Sequence, residues 1–359
     1  MICPHCKVSI RFRERTGGTC ARCREPFALD PRLHGKGMHD LRILRRAKEV
    51  TQDGRLQVTL HQFWYLARSA NPYRGWIEAR HTRTVTGWLV ALPLSAGLVA
   101  VAFLVPFPPA VSYWPHLLVS AMLLRWAAHR RDDDHPRIPP KADITPDEYT
   151  FRRLLTDHWV KQYEGLPPGI IDEREYADPA HVPTEPVAVL LSPGRAVSVF
   201  LTANGIVQRL AVHLATTLDD LPPDVPVIVL HDASATDVLR VAVVREALPD
   251  RVVIDAGLSA RVAHGRQLVR LVKPTEVSAR QLRSEVGMDG ELATWLADGW
   301  YSPLAAVPPA RLEAVVEHAV RRAVALGRRE RARRQELADT GFMSWPAQAG
   351  PTTQEGDSA

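Results

Sequence analysis

The sequence predicts a multidomain protein: a small cysteine-built metal module with an α-helical hairpin, a transmembrane helical hairpin, and a C-terminal α/β domain whose sheet is mostly parallel. Three observations carry that prediction. All four cysteines fall at the start of the chain as two Cys-x-x-Cys pairs. The 21 residues from Val85 to Val105 include no charged side chain, and from Pro186 to Lys273 short apolar runs alternate with amphipathic stretches. Two such cysteine pairs are a metal-ligand set. The uncharged run is long enough for a helix across a hydrocarbon core of roughly 30 Å, and the alternation marks βαβ units.

The cysteine module reads MICPHCKVSIRFRERTGGTCARCREPF. In each pair the two-residue spacing lets one tight turn aim two thiolates at a point. Two such turns complete the S4 tetrahedron that Zn2+ prefers, so Cys3, Cys6, Cys20 and Cys23 are the expected ligands of a structural zinc ion. A redox pair would need only one Cys-x-x-Cys beside a βαβ pattern, and two disulfides would suit a secreted chain with a cleavable leader. His5 lies inside the first turn, but four thiolates leave it the role of a solvent-facing loop residue. The stretch resembles the zinc ribbons with rubredoxin-like knuckles, over about the first thirty residues.

Composition bounds the remainder. A chain of 359 residues with 46% hydrophobic and 24% charged residues has room for two or three ordinary folded domains. The net charge is +5, with 39 arginines against 6 lysines. That arginine bias fits the coding preference of a GC-rich genome and is by itself no phosphate-binding signature. Residues 1–84 hold 17 basic and 7 acidic residues, whereas residues 129–359 hold 27 and 33. The basic part therefore precedes the apolar run, where it suits an anionic lipid leaflet or a nucleic acid.

Segment by segment, residues 1–32 are the zinc ribbon and 33–84 a helical hairpin with a juxtamembrane stretch. In that hairpin Leu41, Leu44 and Ala47 share one side of the first helix. A helix-turn-helix reading of the hairpin is weaker than packing, because Phe63, Trp64, Tyr65 and Leu66 suit a core or an interface. Residues 85–129 form the expected transmembrane hairpin. Its first helix tolerates Pro93; its second run, Ala110–His129, is interrupted by Pro115, His116 and Arg125 and could instead be re-entrant. Trp88, Tyr113, Trp114 and Trp126 suit interfacial belts, and flanking arginines put both termini in the cytoplasm of a cell with this protein in its inner (plasma) membrane. Residues 130–145 are a polar linker, in which Asp-Asp-Asp-His is read as solvated. Residues 146–185 supply a helix and connector, 186–275 the α/β domain, 276–340 a helical extension and 341–359 a disordered tail. Within the extension, Arg328, Arg329, Arg331, Arg333 and Arg334 make a charged face, solvated or set against anionic lipid.

The α/β domain is expected to have strands at Val187–Leu191, Gln208–Leu214, Val227–Leu230, Val252–Asp255 and Leu268–Val272. Ligands of such sheets sit beyond the carboxyl ends of the strands, here Ser192-Pro193-Gly194, His231-Asp232-Ala233-Ser234 and Asp255-Ala256-Gly257. Asp232, Asp255 and Asp237 are the candidate ligand-binding residues; the competing reading makes these acids and Ser234 helix caps and loop braces. Over roughly ninety residues the region resembles Toprim and Rossmann-like domains. The Toprim resemblance implies a glutamate after the first strand and an Asp-x-Asp after a later one, together holding Mg2+. Here those places read LLSPG and HDASATD, so the catalytic acids are unmatched. No glycine-rich dinucleotide loop, phosphate-binding P-loop or nucleophile elbow occurs. The expected function is a membrane-anchored, zinc-binding, non-enzymatic interaction or regulatory factor with an unknown protein partner. The alternatives are a tethered metal-dependent phosphoryl-transfer or nucleotide-binding enzyme and, more weakly, a nucleic-acid binder using the basic ribbon.

Overall fold

The computed structural model describes residues 1–35, 38–67, 93–96, 118–122, 146–177, 183–192, 194–265 and 269–339. After the cysteine module come α1 (Asp40–Val50), the two-residue strand β1 (Val58–Thr59) and α2 (Leu60–Leu66). Thr59 caps α2 reciprocally with Gln62, the hydroxyl accepting the Gln62 N–H while the Gln62 side chain reaches back to Thr59. Beyond residue 145, α3 (Glu148–Arg153) runs through a π-helical turn (Leu154–Trp159) into α4 (Val160–Tyr163), and β2 (Ile170–Ile171) pairs in parallel with β1.

The α/β body follows the expected alternation. Four parallel strands, β3 (Ala188–Leu191), β4 (Val212–Ala215), β5 (Val227–Val229) and β6 (Val253–Asp255), lie in the order β4-β3-β5-β6. They are joined through α5 (Arg195–Ala203), α6 (Ile206–Arg209) and α7 (Ala235–Ala247). All of β3 is buried, with Ala188 and Leu190 in the main core and Val189 and Leu191 in a second core across the sheet. Both faces are covered, which is why the strands read as continuous apolar runs and not as alternation.

Two expected strands change. Gln208–Leu214 divides into the end of α6 and the strand β4, with Ala211 at φ 48° making the corner between them. An apolar run cannot by periodicity alone tell a buried strand from a buried helical turn. Of Leu268–Val272 only β7 (Leu271–Val272) forms, and it pairs antiparallel with β8 (Trp300–Tyr301) outside the main sheet. The helix α8 (Ala260–Gly265) precedes β7, and α9 (Ala279–Val286) and α10 (Gly290–Ala297) lie between β7 and β8. After a short 3-10 turn (Leu304–Ala306), α11 (Pro309–Asp339) buries Leu312, Val316, Ala319, Val320 and Ala323 on the body. Beyond Gly327, which lies against Pro226, α11 is mostly exposed and charged.

The transmembrane hairpin is corrected. No helix among the described residues is long and apolar enough to cross a membrane. Within 85–129 the described residues are 93–96 and 118–122, both helical. They bury Ser95 and Ser120 while exposing Leu94, Leu118, Val119 and Met122. The rest of that segment lies outside the described residues, as do the linker 130–145 and the tail 341–359.

Candidate metal centre and strand-end cluster

The four cysteines converge. One ligand sulfur from each of Cys3, Cys6, Cys20 and Cys23 lies within 4.8 Å of the others, with Cys3 and Cys20 buried. The closest sulfur pairs cross between turns, Cys3 to Cys23 at 3.7 Å and Cys6 to Cys20 at 3.9 Å. The two turns repeat one design. Lys7 N–H donates to Cys3 O and Arg24 N–H to Cys20 O, while Cys3 N–H and Cys20 N–H donate to Val8 O and Glu25 O. Each turn closes with a residue in the left-handed region, Lys7 at φ 58° and Arg24 at φ 62°. The Cys23 N–H, ahead of the burial that opposes it, draws the Cys20 thiol down to about 7; burial pushes Cys3 up. A group of four thiols that close can hold a metal ion. His5 stays out of this shell, its Nε2 lying 2.8 Å from Pro26 O.

The module has its own small core of Cys3, Ile10, Cys20 and Phe27. Asp40, fully buried at the start of α1, fastens it to the body by accepting Ala28 N–H at 2.9 Å, Leu29 N–H at 2.8 Å and the Tyr163 hydroxyl. The module exposes the apolar side chains Ile2, Val8 and Phe12, and Lys7, Arg11, Arg13, Arg22 and Arg24 are exposed as well. The Phe12 ring is flanked by guanidinium groups of Arg32 at 4.7 Å and Arg15 at 5.4 Å.

At the carboxyl ends of the strands the structure gathers residues from β5 and β6. His231 lies with its side chain only 2% exposed, its Nε2 2.9 Å from Asp255 Oδ1 and its Nδ1 2.6 Å from Asp232 O. Both ring nitrogens thus face oxygen acceptors, which is the arrangement of an imidazolium donating twice. Burial would lower the His231 pKa, yet its bonds to Asp255 and to the Asp232 carbonyl raise it. Burial would raise Asp255, yet the His231 bond and charge hold it below the usual carboxylate range. Asp255 also accepts Gly257 N–H at 3.0 Å. Gly257 has to be glycine, because a Cβ there would come within 2.1 Å of the His231 ring.

The other two candidates have separate surroundings. Asp237 takes the Ser234 hydroxyl at 2.5 Å, while Ser234 caps α7 by accepting Asp237 N–H. Asp232 accepts Leu304 N–H at 2.8 Å, and burial raises its pKa. Asp232, Asp237 and Asp255 therefore share a neighbourhood but serve three distinct contacts. His231 is the residue that sequence reading passed over. Its sequence signal is a histidine two residues after β5, beside the strand-end Asp255-Ala256-Gly257.

Comparison with protein-family models, with curated proteins and with solved structures gives no match.

Proposed function

We propose that the protein is a zinc-dependent, non-enzymatic interaction factor, in which the cysteine module offers a basic and apolar face to a protein partner. Zinc suits the site because Zn–S bonds of about 2.3 Å in a tetrahedron give sulfur–sulfur edges of about 3.8 Å. The observed 3.7 and 3.9 Å separations match those edges. The observation that carries the reading is that one small module, fastened to the body through Asp40, exposes three large apolar side chains, Ile2, Val8 and Phe12, together with five basic ones. Apolar side chains exposed beside polar, charged ones are the makings of a protein-binding patch. The competing enzyme reading is disfavoured by the fixed structural contacts of His231, Asp255 and Asp237.

Metal analysis and affinity capture test this together. The purified chain is expected to hold one zinc per molecule. A partner captured by the wild type is expected to be lost with Ile2→Asp/Phe12→Ser and kept with Asp255→Asn. Loss of Mg2+ or nucleotide binding in Asp232→Asn would favour the enzyme instead. Salt-dependent nucleic-acid binding by the wild type that the Arg11→Glu/Arg13→Glu variant lacks would favour the third reading.

A further inference from the structure

We propose that the solvent face of α11 is a docking surface for an anionic lipid bilayer, on which the helix lies without entering it. This goes beyond the interaction role of the cysteine module and does not depend on it. At about 100° per residue, Arg311, Arg321, Arg322, Arg328, Arg329 and Arg333 fall within an arc of about 140°, and His318 lies among them. Each of these side chains is exposed. From Arg311 to Arg333 the face runs for about six turns, or about 33 Å. The residues that α11 buries, Leu312, Val316, Ala319, Val320 and Ala323, lie outside that arc.

The carboxylates of the helix are sorted away from this face or spent on other partners. Glu313 pairs with Arg55 and with Arg209, at 3.0 Å each, Glu317 pairs with Arg209 at 2.9 Å, and Glu330 with Arg334 at 3.4 Å. Arg321 reaches Glu317 at 3.9 Å, whereas Arg311, Arg322, Arg328, Arg329 and Arg333 have no carboxylate partner among the described residues. Arg331 and Arg334 turn off the face, donating to the carbonyls of Gly327 and Asp250. Glu336 and Asp339 are the acids within the arc, both in the last turn of the helix. An arginine-rich genome supplies arginines, but it does not sort them from glutamates.

The shape of the face selects among anionic partners. It runs along both halves of α11, and the half before Gly327 is packed on the body, so a duplex groove admits only the half beyond. A bilayer surface is flat, and a straight helix meets it along its whole length. Ala314, Ala325 and Ala332 stand between the arginines and leave the guanidinium groups foremost. Of large apolar side chains the face carries Val315, too little for insertion among acyl chains, so the attraction is electrostatic and screened by salt. Because residues 129–359 hold more acids than bases, the rest of the body is repelled and the face sets one orientation.

Cosedimentation of the full-length, metal-loaded chain with phosphatidylcholine vesicles, with and without about one-third phosphatidylglycerol, tests the face. Binding is expected to the anionic vesicles and not to the neutral ones, and it should be lost in about 0.5 M NaCl. Arg311→Gln/Arg322→Gln in the packed half and Arg329→Gln/Arg333→Gln in the exposed half are each expected to weaken it about twentyfold, with circular dichroism and metal content unchanged. The charge-matched control Arg331→Gln/Arg334→Gln, which removes two arginines from off the face, should weaken it about threefold or less. Equal binding to neutral vesicles, no binding to anionic ones, or equal losses on and off the face would each overturn the proposal. So would tighter binding of duplex DNA at the same salt to which the packed-half variant is indifferent.

Discussion

At Gly257 the absence of a side chain is what lets His231 lie flat across the loop after β6. Gly257→Ala is expected to cost about 1–3 kcal/mol, through displacement of a packed ring, and denaturant unfolding measures it. The His231–Asp255 pair also sets a pH dependence whose sign follows from its two shifts. His231 is raised in the folded chain, so its contribution is complete below its unfolded pKa of about 6.5 and is lost as pH rises through the folded value. Asp255 is lowered, so its contribution is present above its unfolded pKa of about 3.9 and is lost as pH falls through the folded value. Between those limits the pair contributes most. The wild-type advantage over Asp255→Asn in melting temperature should therefore be greatest near pH 5–6 and shrink towards pH 9. Asp255 and Gly257 were legible as a strand-end loop. The role of His231 was not, since a ring that bridges two strand ends depends on their adjacency in the sheet and not on local sequence.

At the scale of elements, the two cysteine turns are legible from spacing alone, because four thiolates with that spacing have one economical geometry. Their closing residues are less obvious. Lys7 and Arg24 adopt positive φ where glycine is unstrained. Lys7→Gly and Arg24→Gly are each expected to stabilise the metal-bound module by about 0.5 kcal/mol, the left-handed strain exceeding the entropy cost of glycine. Resistance to chelator-induced unfolding reads this out. Removing the metal, or Cys20→Ser, should unfold the module while the α/β body keeps its circular dichroism, since the core of the module contains only Ile10 and Phe27 besides the thiols. The helix α1 was expected from its apolar spacing, and it buries Ile43 and Ala47 with Leu44 partly covered. Its buried Asp40 was not expected. Asp40→Ala leaves two backbone N–H groups and a tyrosine hydroxyl unpaired, with an expected loss of about 3 kcal/mol in chemical unfolding.

For the whole molecule, the alternation of strand and helix was enough to predict the parallel sheet, and local patterns were not enough to predict what covers it. Residues 38–67 and 146–177 share one core with the α/β body: β1 pairs with β2, Phe63 lies 5.8 Å from Phe151, and Gln57 exchanges two hydrogen bonds with the Asn204 side chain. These contacts span about a hundred residues of sequence, a distance over which periodicity carries no information. The apolar runs between them misled for a related reason. Hydropathy reports the length of an apolar stretch and not its helical structure, and no helix among the described residues is long and apolar enough to cross a membrane.

On either side of residues 68–145, the Trp64 indole of α2 donates to the Pro146 carbonyl at 3.0 Å. The two ends that flank this segment therefore stand side by side. Replacing 71–142 by a short glycine-serine linker should leave a folded, metal-binding chain, as size-exclusion chromatography and metal content would show. The mechanical consequence is that a load applied through these two ends first meets the contacts between α2 and α3, Phe63 on Phe151 among them. Tension there opens a clasp between two neighbouring helices.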